Sequence, residues 1–121
     1  MTQVQDMIDE KLDFALGDQL GWVNAWDGKR LVWIDGETNE FRRKVTDWHP
    51  STDPAASLEV QAKAIEVDPK GYVKNLCFIK WGEKKQMGGI GLNYLAISRV
   101  LNASPRERAE AAYITLSSVK E

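Results

Sequence analysis

Two prolines constrain this chain more than any other feature, because each stands one residue after a side chain able to cap a helix. Proline fixes φ near the helical value and has no N–H to donate, so it suits the first position of a helix and breaks later ones. Ser51-Thr52-Asp53-Pro54 supplies a capping carboxylate with the proline just inside it. Ala55, Leu58, Ala62 and Ile65 follow as one apolar stripe, and Asp68-Pro69-Lys70-Gly71 reads as the end of that helix. Ser104-Pro105-Arg106-Glu107 adds a glutamate at the reciprocal capping position, and Ala109, Ala112, Tyr113, Leu116 and Val119 give the buried face beyond it.

A further helix opens the chain. Val4, Met7, Ile8, Leu12 and Ala15 recur near a 3.6-residue period, extended by Leu16 and Leu20, while Asp6, Asp9, Glu10 and Asp13 take the other face. Thr2 suits its N-cap and Gly21 its stop, since glycine enters the left-handed conformation cheaply. Between residues 22 and 48 the pattern turns to strands. Asp27-Gly28 and Asp35-Gly36 bracket the β-branched and aromatic run of residues 30–34, and residues 41–46 make a second run, which together predict a hairpin. Residues 72–81, with Tyr72, Leu76, Cys77, Phe78 and Ile79, read as a buried central strand. Residues 82–91 read as a loop. Residues 92–101 fit a strand or a short helix, with strand the narrow preference.

The expected order is therefore α-β-β-α-β-β-α, an α+β domain spanning residues 1–121. At 121 residues, with 43% apolar and 28% charged side chains, such a chain buries a core without staples. Cys77 stands alone, so nothing calls for an oxidising compartment, and within an apolar run it reads as a small buried hydrophobe. The first residues carry early acids and no long apolar run, and no stretch approaches the ~18 residues of a membrane span. A cytoplasmic protein with no membrane partner is expected.

The net charge of −2 gives no global pull toward nucleic acid. It is unevenly spread: residues 1–60 hold 6 Lys/Arg against 12 Asp/Glu, and residues 61–121 hold 10 against 6. That asymmetry hints at a polar partner.

Five tryptophans stand out: Trp22, Trp26, Trp33, Trp48 and Trp81. About three are expected in the core, leaving one or two for a surface role. The candidate interaction surface is Trp22, Trp26, Arg42, Arg43, Lys44 and Trp48. Its aromatic and cationic side chains suit either a protein interface or single-stranded bases with their phosphates. Asp47, His49 and Asp53 cluster within seven residues, a set that could bind a divalent metal for a small hydrolase or nuclease. Against it, Asp53 is already employed as a cap, and the spacing supplies no further ligand. Gly88-Gly89-Ile90-Gly91 lacks the lysine and hydroxyl of a phosphate loop and reads as a turn. No catalytic motif and no cofactor are expected.

Residues 48–60, Trp-His-Pro-Ser-Thr-Asp-Pro-Ala-Ala-Ser-Leu-Glu-Val, resemble a motif of the phage ABA sandwich domain family, in which an aromatic-proline loop runs into a Ser-Thr-Asp helix start with paired alanines. The acidic opening helix leading into Leu20-Gly21-Trp22, and Ser104-Pro105 with Ala109, Ala111 and Ala112, match that plan and that of the more distant NinX-like proteins. Residues 81–102 depart from it. The resemblance implies a three-layer α/β/α sandwich, with helices on both faces of a mainly antiparallel sheet of about four strands. It implies a phage or prophage accessory protein of a bacterial host with no established activity; taken with the missing site and the tryptophan excess, a binding protein is expected, its partner another protein or a second copy.

Overall fold

In the computed structural model, residues 4–81 and 94–119 are described, apart from the side chains at positions 95, 96 and 119. The expected Thr2 cap and the glycine-rich loop at residues 82–91 lie outside them. A short 3-10 turn, Val4–Asp6, precedes α1 (Asp9–Gln19). Gly21 follows with φ of +86°, so the helix stops where glycine predicted, although it begins later than the periodicity suggested.

Three strands come next: β1 (Trp22–Trp26), β2 (Leu31–Asp35) and β3 (Phe41–Lys44). They form an antiparallel meander in the order β1-β2-β3. Two aspartates build the turns. Asp27 Oδ1 accepts the N–H groups of Lys29 and Arg30 at 2.8 and 2.9 Å, and Asp35 Oδ1 those of Glu37 and Thr38 at 2.8 and 3.0 Å. Ile34 faces Phe41 while Trp33 faces Arg43, so Arg42 is the extra residue of a bulge. β1 is the strand that sequence patterning had left unassigned, because its asparagine and alanine dilute the β-branched signal.

The rest of the described chain is helical: α2 (Pro54–Val67), α3 (Pro69–Trp81), α4 (Tyr94–Leu101) and α5 (Pro105–Val119). Both expected starts hold. Asp53 Oδ2 accepts Ala56 N–H at 3.0 Å. Ser104 Oγ accepts Glu107 N–H at 3.1 Å, while Glu107 Oε1 accepts Ser104 N–H at 2.9 Å. Asp68-Pro69 ends α2 as expected and is at the same time a third start of the same kind. Asp68 Oδ1 accepts Gly71 N–H at 3.0 Å, and a Cβ at Gly71 would stand 2.1 Å from Asp68 Oδ2.

Two expectations are thereby corrected. Residues 72–81 are helix, with Tyr72 and Leu76 one turn apart on a buried face. Residues 94–101 are helix too, so neither region supplies a strand, and the sheet has three strands among the described residues rather than about four. The fold is α+β. Helix α1 lies against one sheet face, where Trp33 covers Gly17 so closely that a Cβ there would stand 2.6 Å from the ring. On the other face Val32 is buried, Ala25 and Ile34 are half-buried, and Val23 and Phe41 are open to solvent. Helices on both faces were expected; the exposed Val23 and Phe41 show no such cover.

The core centres on α5, which packs against α1, α2 and α3. Its Ala109, Ala111 and Ala112 are fully buried, with Thr115 and Leu116 beside them. The face that α2 turns inward is correspondingly small: Ala56, Ser57, Val60 and Ala64. The expected stripe of Ala55, Leu58, Ala62 and Ile65 is displaced by this choice, and Leu58 and Ile65 are exposed. Both stripes obey helical spacing, but only the small one lets α2 approach an alanine-rich partner. Ala112→Leu is expected to lose about 1–3 kcal/mol of stability through overpacking, read as a lower urea midpoint with an unchanged slope.

Candidate functional site

Beneath the sheet, the aromatic side chains are committed to one another. Trp22 and Trp48 lie 4.8 Å apart between ring centroids, Trp33 is within 6.2 Å of both, and Phe14 meets Trp33 edge-on at 5.5 Å. Trp48 Nε1 donates to Glu59 Oε1 at 2.9 Å, which satisfies the buried indole. Three of the five tryptophans are thus in the core, as expected, but two are not where the candidate surface needed them. Trp22 and Trp48 are 8% and 3% exposed and can present no ring to a partner.

The cations of that surface are partly engaged. Arg42 bonds Asp35 Oδ2 at 2.9 Å, and this guanidinium, with the Thr38 and Glu37 N–H groups, holds the Asp35 carboxyl well below the usual carboxylate range. Arg43 pairs with Glu59 at 3.0 Å. Trp26 and Lys44 are exposed, and Trp26 keeps 66% of its surface open. It stands opposite Leu31, itself 45% exposed, at the end of the sheet.

The expected Asp47, His49 and Asp53 cluster is split, with His49 apart from the two aspartates. Asp53 is the α2 cap, and His49 turns instead toward α1. Its Nε2–H donates to the Thr46 carbonyl at 2.7 Å, and Nδ1 lies 3.5 Å from Asp13 Oδ2. Asp13 Oδ1 accepts Ser51 N–H at 2.8 Å. Asp13 and His49 border a cavity of about 500 Å³, walled also by Glu10, Phe14, Trp48 and Thr52. Asp47 lies on the far side of Trp48, in a second cleft of about 410 Å³ with Arg43, Asp53 and Glu59. Among the described residues, no group of three or more His, Cys, Asp or Glu side chains could hold a metal ion.

Asp13 is the residue that patterning misplaced. It was assigned to the solvent face of α1 but is only 5% exposed. Its spacing of three and four from Leu16 and Gly17 was the available signal, since those offsets put it on their face. Burial pushes its carboxyl above the ordinary range, opposed by the Ser51 hydrogen bonds and by His49. With Nε2 donating to Thr46, a close Nδ1–Asp13 contact requires a proton on one of the two groups. The pair can therefore share a proton or orient a polar ligand group, and the buried Ser51 hydroxyl lies beside the same carboxylate. Cys77 is 2% exposed, and burial pushes its thiol up, away from the reactive thiolate.

Among the described residues no helix is long and apolar enough to cross a membrane. Compared with protein-family models, curated proteins and solved structures, the chain matches none of them.

The Asp13 environment has a pH signature. A carboxyl whose folded pKa is raised contributes stability that is full below its unfolded pKa and is lost as pH climbs through the folded one. Asp13→Asn keeps an acceptor for Ser51 N–H and carries no charge, so its stability relative to the native chain should rise as pH climbs from about 4 toward neutral. Asp13→Leu strands the Ser51 N–H and should cost about 1–3 kcal/mol throughout. Urea midpoints of the three proteins across that range check both.

Proposed function

We propose that the chain is a non-enzymatic binding module whose target is another protein, engaged through the end of the sheet that carries Trp26. The observation behind this is the exposure of Trp26 beside Leu31, while Trp22, Trp33 and Trp48 are locked in the core. An indole left two-thirds open next to a second exposed apolar side chain is the usual composition of an interface anchor. Val23 and Phe41 enlarge the apolar surface on the opposite face of the same three strands. The resemblance of residues 48–60 to the phage ABA sandwich domain family supports an accessory role for a phage or prophage, acting in the cytoplasm of a bacterial host.

Binding of single-stranded nucleic acid is the weaker reading. It asked Trp22 and Trp26 to stack on bases while Arg42 and Arg43 followed phosphates. Trp22 is buried, and both arginines are paired with carboxylates. A metal-dependent hydrolase is weaker still, because His49 faces Asp13 and Asp53 caps α2, so the three side chains do not converge.

A photo-crosslinking residue placed at position 26 in bacterial cells should give a discrete protein adduct. The same residue at Lys63 on α2, away from the sheet, should give none. Equal yields at the two positions, or no adduct at either, would overturn the proposal. A salt-sensitive shift of a labelled single-stranded oligonucleotide would favour the nucleic-acid reading instead.

A further inference from the structure

The two edges of the sheet are built differently. β3 carries Arg42, Arg43 and Lys44 and is bulged at Arg42, devices that keep an edge from pairing with another chain. β1 has none of them. Its sequence, Trp22-Val23-Asn24-Ala25-Trp26, holds no charge, no proline and no bulge, and among the described residues it pairs only with β2.

The direction of its free backbone groups follows from the bonds at each end. Asp27 N–H donates to Arg30 O at 3.1 Å, and Gly36 N–H donates to Gly21 O at 2.9 Å. Positions 21 and 27 thus turn toward β2, and by the two-residue period of the ladder so do Val23 and Ala25. Trp22, Asn24 and Trp26 turn their N–H and C=O groups the other way, to the open edge.

We infer that β1 pairs with β1 of a second copy of this chain, antiparallel and centred on Asn24, to make a continuous six-stranded sheet (three strands from each copy). The strand is self-complementary about that centre, as a two-fold interface requires. Asn24 meets Asn24, Trp22 meets Trp26 and Val23 meets Ala25. Every residue with outward backbone groups then faces another of the same kind, whereas a slip of one residue would set them against inward-facing ones. On one face, Trp26 of each copy lies across the seam from position 22 of the other. On the other face the cross-strand row Phe41, Ile34, Val23 runs on into Ala25, Val32 and Lys44 of the second copy.

This proposal rests on the reading of the sheet as a protein-binding surface and names the partner. A five-residue seam lies at the small end of specific interfaces, so the dissociation constant should be on the order of micromolar. Sedimentation of the full chain from about 1 µM to about 500 µM should show the mass rising from 13.7 kDa toward twice that value. Asn24→Pro removes an outward N–H and leaves the β2 pairing intact, while Asn24→Lys opposes two like charges at the centre. Both should remain monomeric with an unchanged circular dichroism spectrum, and Leu58→Ser on α2 should dimerise like the native chain. A native chain that stays monomeric throughout, dimers that persist in both Asn24 variants, or dimers lost in Leu58→Ser would overturn the pairing. A monomeric chain that still gives an adduct at position 26 would sink the self-pairing alone and leave the broader binding reading standing.

Discussion

How closely helices can approach α5 governs the rest of this structure. Three helices surround it, and it meets them with alanines at positions 109, 111 and 112. Small side chains shorten the interaxial distance, so the facing surfaces must be small or flat as well. α2 answers with Ala56, Ser57, Val60 and Ala64, and α3 turns Tyr72, Leu76 and Cys77 inward. Polar groups stitch these seams without disturbing their spacing. Asn75 Nδ2 donates to Thr115 Oγ1 at 2.9 Å, Arg108 Nε donates to Ser57 Oγ at 2.9 Å, and the Tyr72 hydroxyl donates to Gln61 Oε1 at 2.7 Å. The last of these satisfies the hydroxyl of a buried tyrosine.

From α5 the order propagates to the sheet by way of α1. Arg106 holds Asp9 at 2.7 Å and Glu110 at 2.6 Å, and it donates to the carbonyls of Val4 and Met7 at 3.0 and 2.7 Å. One guanidinium therefore fixes the 3-10 turn, the start of α1 and α5 together, a geometry its rigid fork of donors suits. With α1 placed, Gly17 offers the bare backbone against which Trp33 lies, and Trp33 in turn gathers Trp22, Trp48 and Phe14. The pocket beside His49 is a by-product of this stacking, because Phe14 and Trp48 form its apolar walls.

That aromatic cluster also explains why the tryptophan count exceeds the surface available for binding. Trp22, Trp33 and Trp48 join a short sheet to a helical core that has few large aliphatic side chains of its own. Trp81 is half-buried with the Arg99 guanidinium 6.0 Å from its ring, which leaves Trp26 as the indole most open to solvent. Binding capacity and core filling compete for one residue type, and position along β1 decides between them. Trp22 reaches the shelter of α1; Trp26 on the same face lies beyond it.

Local chemistry by itself determined the helix starts at Asp53-Pro54 and Ser104-Pro105, the stop at Gly21 and the aspartate turns of the hairpins. At the starts and turns a side chain bonds backbone within four residues, and at Gly21 the backbone itself takes a φ of +86°, so no distant partner was needed. The same logic holds at Asp68-Pro69, where the proline both ends α2 and opens α3. Tertiary structure alone decided the remainder. Whether residues 72–81 became strand or helix, which of two equally spaced stripes α2 buried, and that Asp13 went inside all turned on what lay opposite. A run of apolar residues carries no information about its neighbour's shape, and the alanines of α5, distant in sequence, supplied it.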